Sequence, residues 1–206
     1  MRSCFLLIVL LISVVGVFGQ KTVDTGLVTL HARDPLANSL CFEDNGFGTL
    51  IQDNQLKNRC SDLNFHSYSP NGLSTGIEGG KTGAIINLGT PDDLRKKYGY
   101  TETIGNGQGF ASIALRNGSV TILKEYKKQT FQNLVEAKSL WEKTTSLASV
   151  PVALGNIYVM RITDTHDASF EKFVKLLVVG YVPNESVTIR WVAMPKTSLK
   201  LTAVKY

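Results

Sequence analysis

Proton transfer and metal binding near neutral pH fall first to histidine, and this chain has three: His31, His66 and His166. The densest cluster of reactive types is Asp164-Thr165-His166-Asp167, two carboxylates and an imidazole within four residues. In a loop such groups can converge on a cation. Between two strands the same types are ordinary turn formers, and the turn is the reading adopted. No histidine pair has the H-E-x-x-H spacing of a zinc enzyme. A Ser-His-Asp hydrolase needs its serine on a strained turn such as G-x-S-x-G, and no such element is expected here. The paired acids Glu43-Asp44 and Asp92-Asp93 are neighbours in sequence, which does not set two carboxylates across a scissile bond. Gly105-Asn106-Gly107-Gln108-Gly109 superficially suggests a phosphate-cradling loop, but its glycines lead into an expected strand rather than a helix N-terminus. The sequence therefore assigns no catalytic, metal-binding or cofactor-binding residue and implies no cofactor. Tyr98, Tyr100, Tyr158, Tyr181 and Trp191 are candidates for a carbohydrate platform, weighed against aromatics that simply pack a β core.

The cysteines carry one firm expectation. Cys4 falls in an apolar leader, which leaves Cys41 and Cys60 as an even pair. In an oxidising compartment such a pair reads as a disulfide. A reactive thiol or a metal ligand is the alternative, but neither cysteine belongs to a C-x-x-C pair or has a histidine at metal-site spacing. The leader itself, residues 1–19, has Arg2 ahead of an apolar run from Phe5 to Phe18 and ends Val17-Phe18-Gly19. That is the plan of a secretory signal peptide, shorter than a bilayer span and followed by no basic stop-transfer cluster. The expectation is a mature chain starting near Gln20, secreted or periplasmic, with no membrane anchor after cleavage.

Cleavage also removes Arg2, so the formal charge of +5 falls to +4. Basic residues are interleaved with acids and apolar residues, apart from small clusters at Arg95-Lys96-Lys97 and at Lys124, Lys127 and Lys128. A nucleic-acid binder concentrates charge on one face, so nucleic acid is not an expected partner. The sequence specifies no partner, with a glycan or another exported protein as the candidates.

The elements that must position any site are mostly strands. Residues 20–206 read as one β-rich domain whose part 20–80 is loop-rich and carries the cysteine pair. Short strands are expected near Leu27–Leu30, Gly48–Gln52 and Asp62–Tyr68, and a buried strand at Ala84–Leu88 between two glycines. Thr90, Pro91, Asp92 and Asp93, followed by Arg95-Lys96-Lys97 and Gly99, predict a two-turn helix over 91–98. Asn117-Gly118 between β-prone runs predicts a hairpin joining Phe110–Leu115 to Val120–Leu123. Phe131, Leu134, Val135 and Trp141 recur near a 3.6-residue period and predict a second helix over 131–146. Asn156–Thr163, Phe173–Tyr181 and Ser186–Met194 predict a C-terminal antiparallel β-meander, with residues 196–206 as an edge strand or a tail. The fold class is thus mainly β with two short α-helices.

Asn117-Gly118-Ser119-Val120-Thr121-Ile122 and Asn184-Glu185-Ser186-Val187-Thr188-Ile189 agree at five of six positions, which fits shared turn-to-strand chemistry better than duplication. Both begin with an N-x-[ST] sequon, a glycan acceptor if the chain passes through a eukaryotic secretory route.

Gly83-Ala84-Ile85-Ile86-Asn87-Leu88-Gly89, with the meander from Leu154-Gly155-Asn156-Ile157-Tyr158-Val159-Met160-Arg161 to Val187-Thr188-Ile189-Arg190-Trp191-Val192, resembles uncharacterised exported bacterial β-rich proteins. In those a G-x-x-Y-x-x-R strand leads to a lysine-bearing strand (here Lys172 or Lys175) and then to V-x-I-x-W. The likeness covers about a third of the chain. It implies bacterial export and a β-rich fold, and no assigned activity. The expectation from sequence is an exported, non-catalytic binding or structural module, with a secreted hydrolase of glycan or cell-wall polymers as the alternative.

Overall fold

A run such as Ile157-Tyr158-Val159-Met160 has no polar face, so a sheet built around it must be covered on both sides. The computed structural model shows that arrangement and describes residues 25–99, 109–125, 128–143 and 145–195. In chain order its elements are β1 (Thr25–His31), β2 (Ser39–Cys41), β3 (Gly46–Phe47), β4 (Thr49–Gln52), β5 (Gln55–Asn58), β6 (Leu63–Phe65), β7 (Gly72–Thr75), β8 (Lys81–Gly89), α1 (Pro91–Tyr98), β9 (Ile113–Arg116), β10 (Ser119–Glu125), β11 (Thr130–Asn133), α2 (Val135–Lys138), β12 (Ala148–Pro151), β13 (Ile157–Asp164), β14 (Glu171–Val182) and β15 (Ser186–Ala193). The protein is mainly β, 52% strand against 8% helix, which settles the fold class.

The central sheet runs β1-β15-β14-β13-β8, antiparallel throughout. Its C-terminal three strands are the expected meander. The side chains of alternate residues divide between two apolar layers. One face carries Tyr158, Met160, Ile162, Leu176, Ile189 and Trp191 and packs against Leu40, Leu63, Phe65 and Leu73 of a second sheet, ordered β12-β7-β6-β2-β3. The other carries Ala84, Ile157, Val159 and Phe173. It packs against α1 and a three-stranded sheet, β11-β10-β9, through Leu94, Tyr98, Ile113 and Ile122. Close approach of the layers has a steric requirement at Gly83: a Cβ there would lie 2.6 Å from the Thr75 carbonyl carbon.

The local signals of the sequence produce the local structures they specify. Thr90 caps α1 through a reciprocal pair with Asp93, Pro91 begins the helix, and Gly99 closes it at φ 60°. Asn117 and Gly118 both have positive φ, 47° and 75°, as a type I′ hairpin turn requires. The β9 strand starts at Ile113 rather than Phe110, because residues 109–112 form a turn.

The expected helix over 131–146 is corrected. Thr130–Asn133 is strand β11, paired with β10 through Leu123↔Phe131 and Ile122↔Gln132, and only Val135–Lys138 is helical. The apolar spacing that suggested one long helix instead serves two elements. Phe131 lies under the Arg116 guanidinium at 3.8 Å, while Leu134 donates its amide to the Val120 carbonyl. Long-range pairing overrides a 3.6-residue pattern of that length.

Cys41 and Cys60 are joined by a disulfide, with Cα atoms 5.2 Å apart. It closes off β3 and the exposed β4–β5 hairpin. The leader 1–19, the segment 196–206 and all but Gly109 of the 105–109 glycine run lie outside the described residues. Among the described residues no helix is long and apolar enough to cross a membrane.

Candidate functional site

Two adjacent rows of side chains cross the helix-bearing face of the central sheet. Register sets Ala84, Arg161 and Phe173 side by side on β8, β13 and β14, and Thr82, Thr163 and Glu171 in the next row. Arg161 reaches diagonally between the rows, and its Nε donates to Glu171 Oε1 at 2.7 Å. Its Nη1 donates to the carbonyls of Trp141 at 3.2 Å and Leu140 at 3.4 Å. A single guanidinium therefore pins the turn after α2 down onto the sheet. That turn sets the Trp141 ring edge-on against Phe173, with centroids 4.2 Å apart, and 5.0 Å from the Arg161 guanidinium.

Trp141 is only partly buried, and three open clefts meet at it. One of about 350 Å³ lies over Arg161, Glu171 and Phe173. A second of about 390 Å³ extends past Thr82, Thr163 and Phe170 to Asp164. A third of about 430 Å³ runs the other way between β10 and α2. Each is of the size that small ligands occupy. At the far end Lys81 lies 3.6 Å from Asp164 Oδ2 and 3.6 Å above the Phe170 ring. The His166 backbone N–H, donating at 2.8 Å, holds the Asp164 carboxyl below the usual carboxylate range, with the Lys81 charge adding to it. Asp167 is likewise lowered by hydrogen bonds from Ser169. The Asp164–Asp167 cluster is thus a turn with its carboxylates already engaged.

The other sequence candidates are dispersed. Tyr98, Tyr158 and Trp191 are buried, and Tyr181 packs edge-on against Phe65 at 6.4 Å, so they form no exposed platform; Tyr100 lies outside the described residues. Trp191 donates to Asn45 Oδ1 at 2.9 Å and stacks by Phe42. Cys41 and Cys60 lie on the opposite layer, in strand β2 and just after β5. With Glu43 they make a group of potential metal ligands, but both sulfurs are bonded to each other. The two lysines of β14 point to opposite faces. Lys172 pairs with buried Asp62 at 3.2 Å, and Lys175 is buried, donating to the Phe110 and Ile113 carbonyls at 2.7 Å each.

Sequence reading passed over two serines. Gly72-Leu73-Ser74-Thr75-Gly76 has the G-x-S-x-G spacing, yet it is strand β7, and the buried Ser74 shares a hydrogen bond with Ser149. Ser112 Oγ is buried and without a hydrogen-bond partner, Lys175 included. It also missed Trp141 and Arg161 as a site. The available signal was a charged residue inside an otherwise apolar strand, Ile157-Tyr158-Val159-Met160-Arg161-Ile162, which burial tolerates only with partners.

No protein-family model, curated protein or solved structure matches this chain.

Proposed function

We propose that the protein is exported and acts as a non-catalytic binding module whose ligand seat is the set of clefts around Trp141. The observation that carries this reading is the partly exposed indole fixed above a rigid two-row platform on the central sheet, at the junction of three adjoining hollows. An aromatic ring held by packing and by a multiply bonded arginine is pre-organised for contact and loses little freedom when a ligand arrives. Export is supported by the apolar leader and by the Cys41–Cys60 bridge.

Binding is favoured over turnover by the way Asp164 and Glu171 are engaged in two of the clefts. A glycosidase needs one carboxyl kept protonated near neutral pH. Here Asp164 is held below its ordinary value, and Glu171 is paired with Arg161. The test is to express the full chain, recover the exported protein and read its N-terminus, expected near Gln20. It is then incubated with cell-wall and storage polysaccharides. Retention on at least one polymer without release of reducing ends is the expected result. Steady turnover of any of them would overturn the non-catalytic reading.

A further inference from the structure

We infer that the Trp141 clefts take a neutral carbohydrate chain, an inference that rests on the binding reading above and names its ligand class. The charged residues lining the clefts balance, Lys138, Lys143 and Arg161 against Glu142, Asp164 and Glu171, and Lys81 beside Asp164 adds one positive charge. The innermost ones are also engaged within the protein. Arg161 is bonded to Glu171 and to two carbonyls, and Lys81 lies between Asp164 and the Phe170 ring. An anionic ligand would have to break those inner pairs to gain a partner beside Arg161, and would otherwise meet only the exposed Lys138 and Lys143. A hydrocarbon chain would cover the Arg161–Glu171 pair without replacing the water it loses.

A sugar meets both conditions. Its C–H face covers an aromatic ring, and its hydroxyls donate and accept beside polar groups that keep their own partners. The Thr82 and Thr163 hydroxyls, bonded to each other across β8 and β13, and the Glu171 carboxylate supply such groups along one wall. Three open hollows meeting at one indole, rather than one deep pit, suit more than one sugar unit.

The chain has two tryptophans, and Trp191 is fully buried, so an emission change on ligand addition reports on Trp141. The full-chain exported protein is titrated with neutral β-linked glucan, xylan and chitin oligomers of one to six units. Oligogalacturonate and sulfated oligosaccharides are run in parallel, each at low and high salt. The expected result is saturable quenching or shift by a neutral series, tighter with chain length and changing less than about twofold with salt. In the variants, which lack the reporting indole, binding is read by titration calorimetry: Trp141→Ala weakens it about tenfold or more, which is ~1.4 kcal/mol, and Trp141→Phe restores part of it. A salt-sensitive response to anionic oligomers alone overturns the neutral-ligand inference and leaves the clefts as a binding site. Neutral binding unchanged in Trp141→Ala overturns the placement. No response to any oligomer, with no retention on any polymer, overturns both this inference and the binding reading.

Discussion

Lys175 gives the sharpest quantitative test of the packing. Its amine is almost wholly buried between β14 and the 109–113 turn, donating to two carbonyls and lying 4.9 Å from the Phe110 ring. Burial, with the nearby Arg190 charge, pushes its pKa down from 10.5 to about 7. In the unfolded chain the amine keeps its proton up to the ordinary value. Between pH 7 and that value the unfolded state therefore binds more protons, and stability rises with pH. The slope approaches about 1.4 kcal/mol per pH unit, and the whole window is worth at most about 5 kcal/mol. Below pH 7 both states are protonated and the dependence vanishes. Urea unfolding at pH 6, 7, 8 and 9 reads this directly. Measurements stop short of the range where tyrosines ionise, because Tyr98, pushed up to about 12 by burial and by its bond to Glu136, acts in the opposite sense there. Lys175→Met removes the slope, and it leaves the Phe110 and Ile113 carbonyls without their donor, at roughly 1–3 kcal/mol each. The variant should come closest to the wild type at pH 6 and fall behind it at pH 9. Parallel pH profiles for the two proteins would refute the reasoning, since they would mean that the amine titrates as it does in water.

Two further outcomes follow from the covalent and capping geometry. The disulfide spans a separation of 19 residues, for which chain entropy gives about 3 kcal/mol, so replacing both Cys41 and Cys60 by serine should lower Tm by about 6–12 °C in calorimetry. The far-UV spectrum should be retained, because both apolar layers lie outside the closed loop's exposed hairpin; a Tm within about 2 °C of the wild type would show that the bridge does not restrain the unfolded chain. Thr90→Ala removes the acceptor for the Asp93 amide and should cost about 1 kcal/mol, whereas Thr90→Ser should stay within a few tenths, as measured by denaturant midpoints.

What could be read in advance was what neighbouring residues decide among themselves. Thr90 to Gly99 carries its own start, dipole and stop signals, and Asn117-Gly118 fits a turn that few other pairs accept. The alternating runs of β13 to β15 needed only short turns to form a meander. The stretch 131–146 was misread because its apolar spacing fits a helix equally well until β10 arrives as a partner. The same error hid the site. As part of an expected helical stripe Trp141 looked like core, and nothing local to it announces that Arg161, twenty residues on, bonds its carbonyl. The aromatics that did attract attention, Tyr158 and Trp191, lie on the sheet face that packs against the second sheet, and they are buried for that reason.

The first described strand lies beside the last, with Thr25 opposite Val192 and His31 opposite Ser186. A sheet edge fastened by two strands so far apart in sequence cannot be completed until β15 has been made, because until then β1 has no neighbour to pair with. Such wiring makes the last fastening of the sheet a late, long-range step.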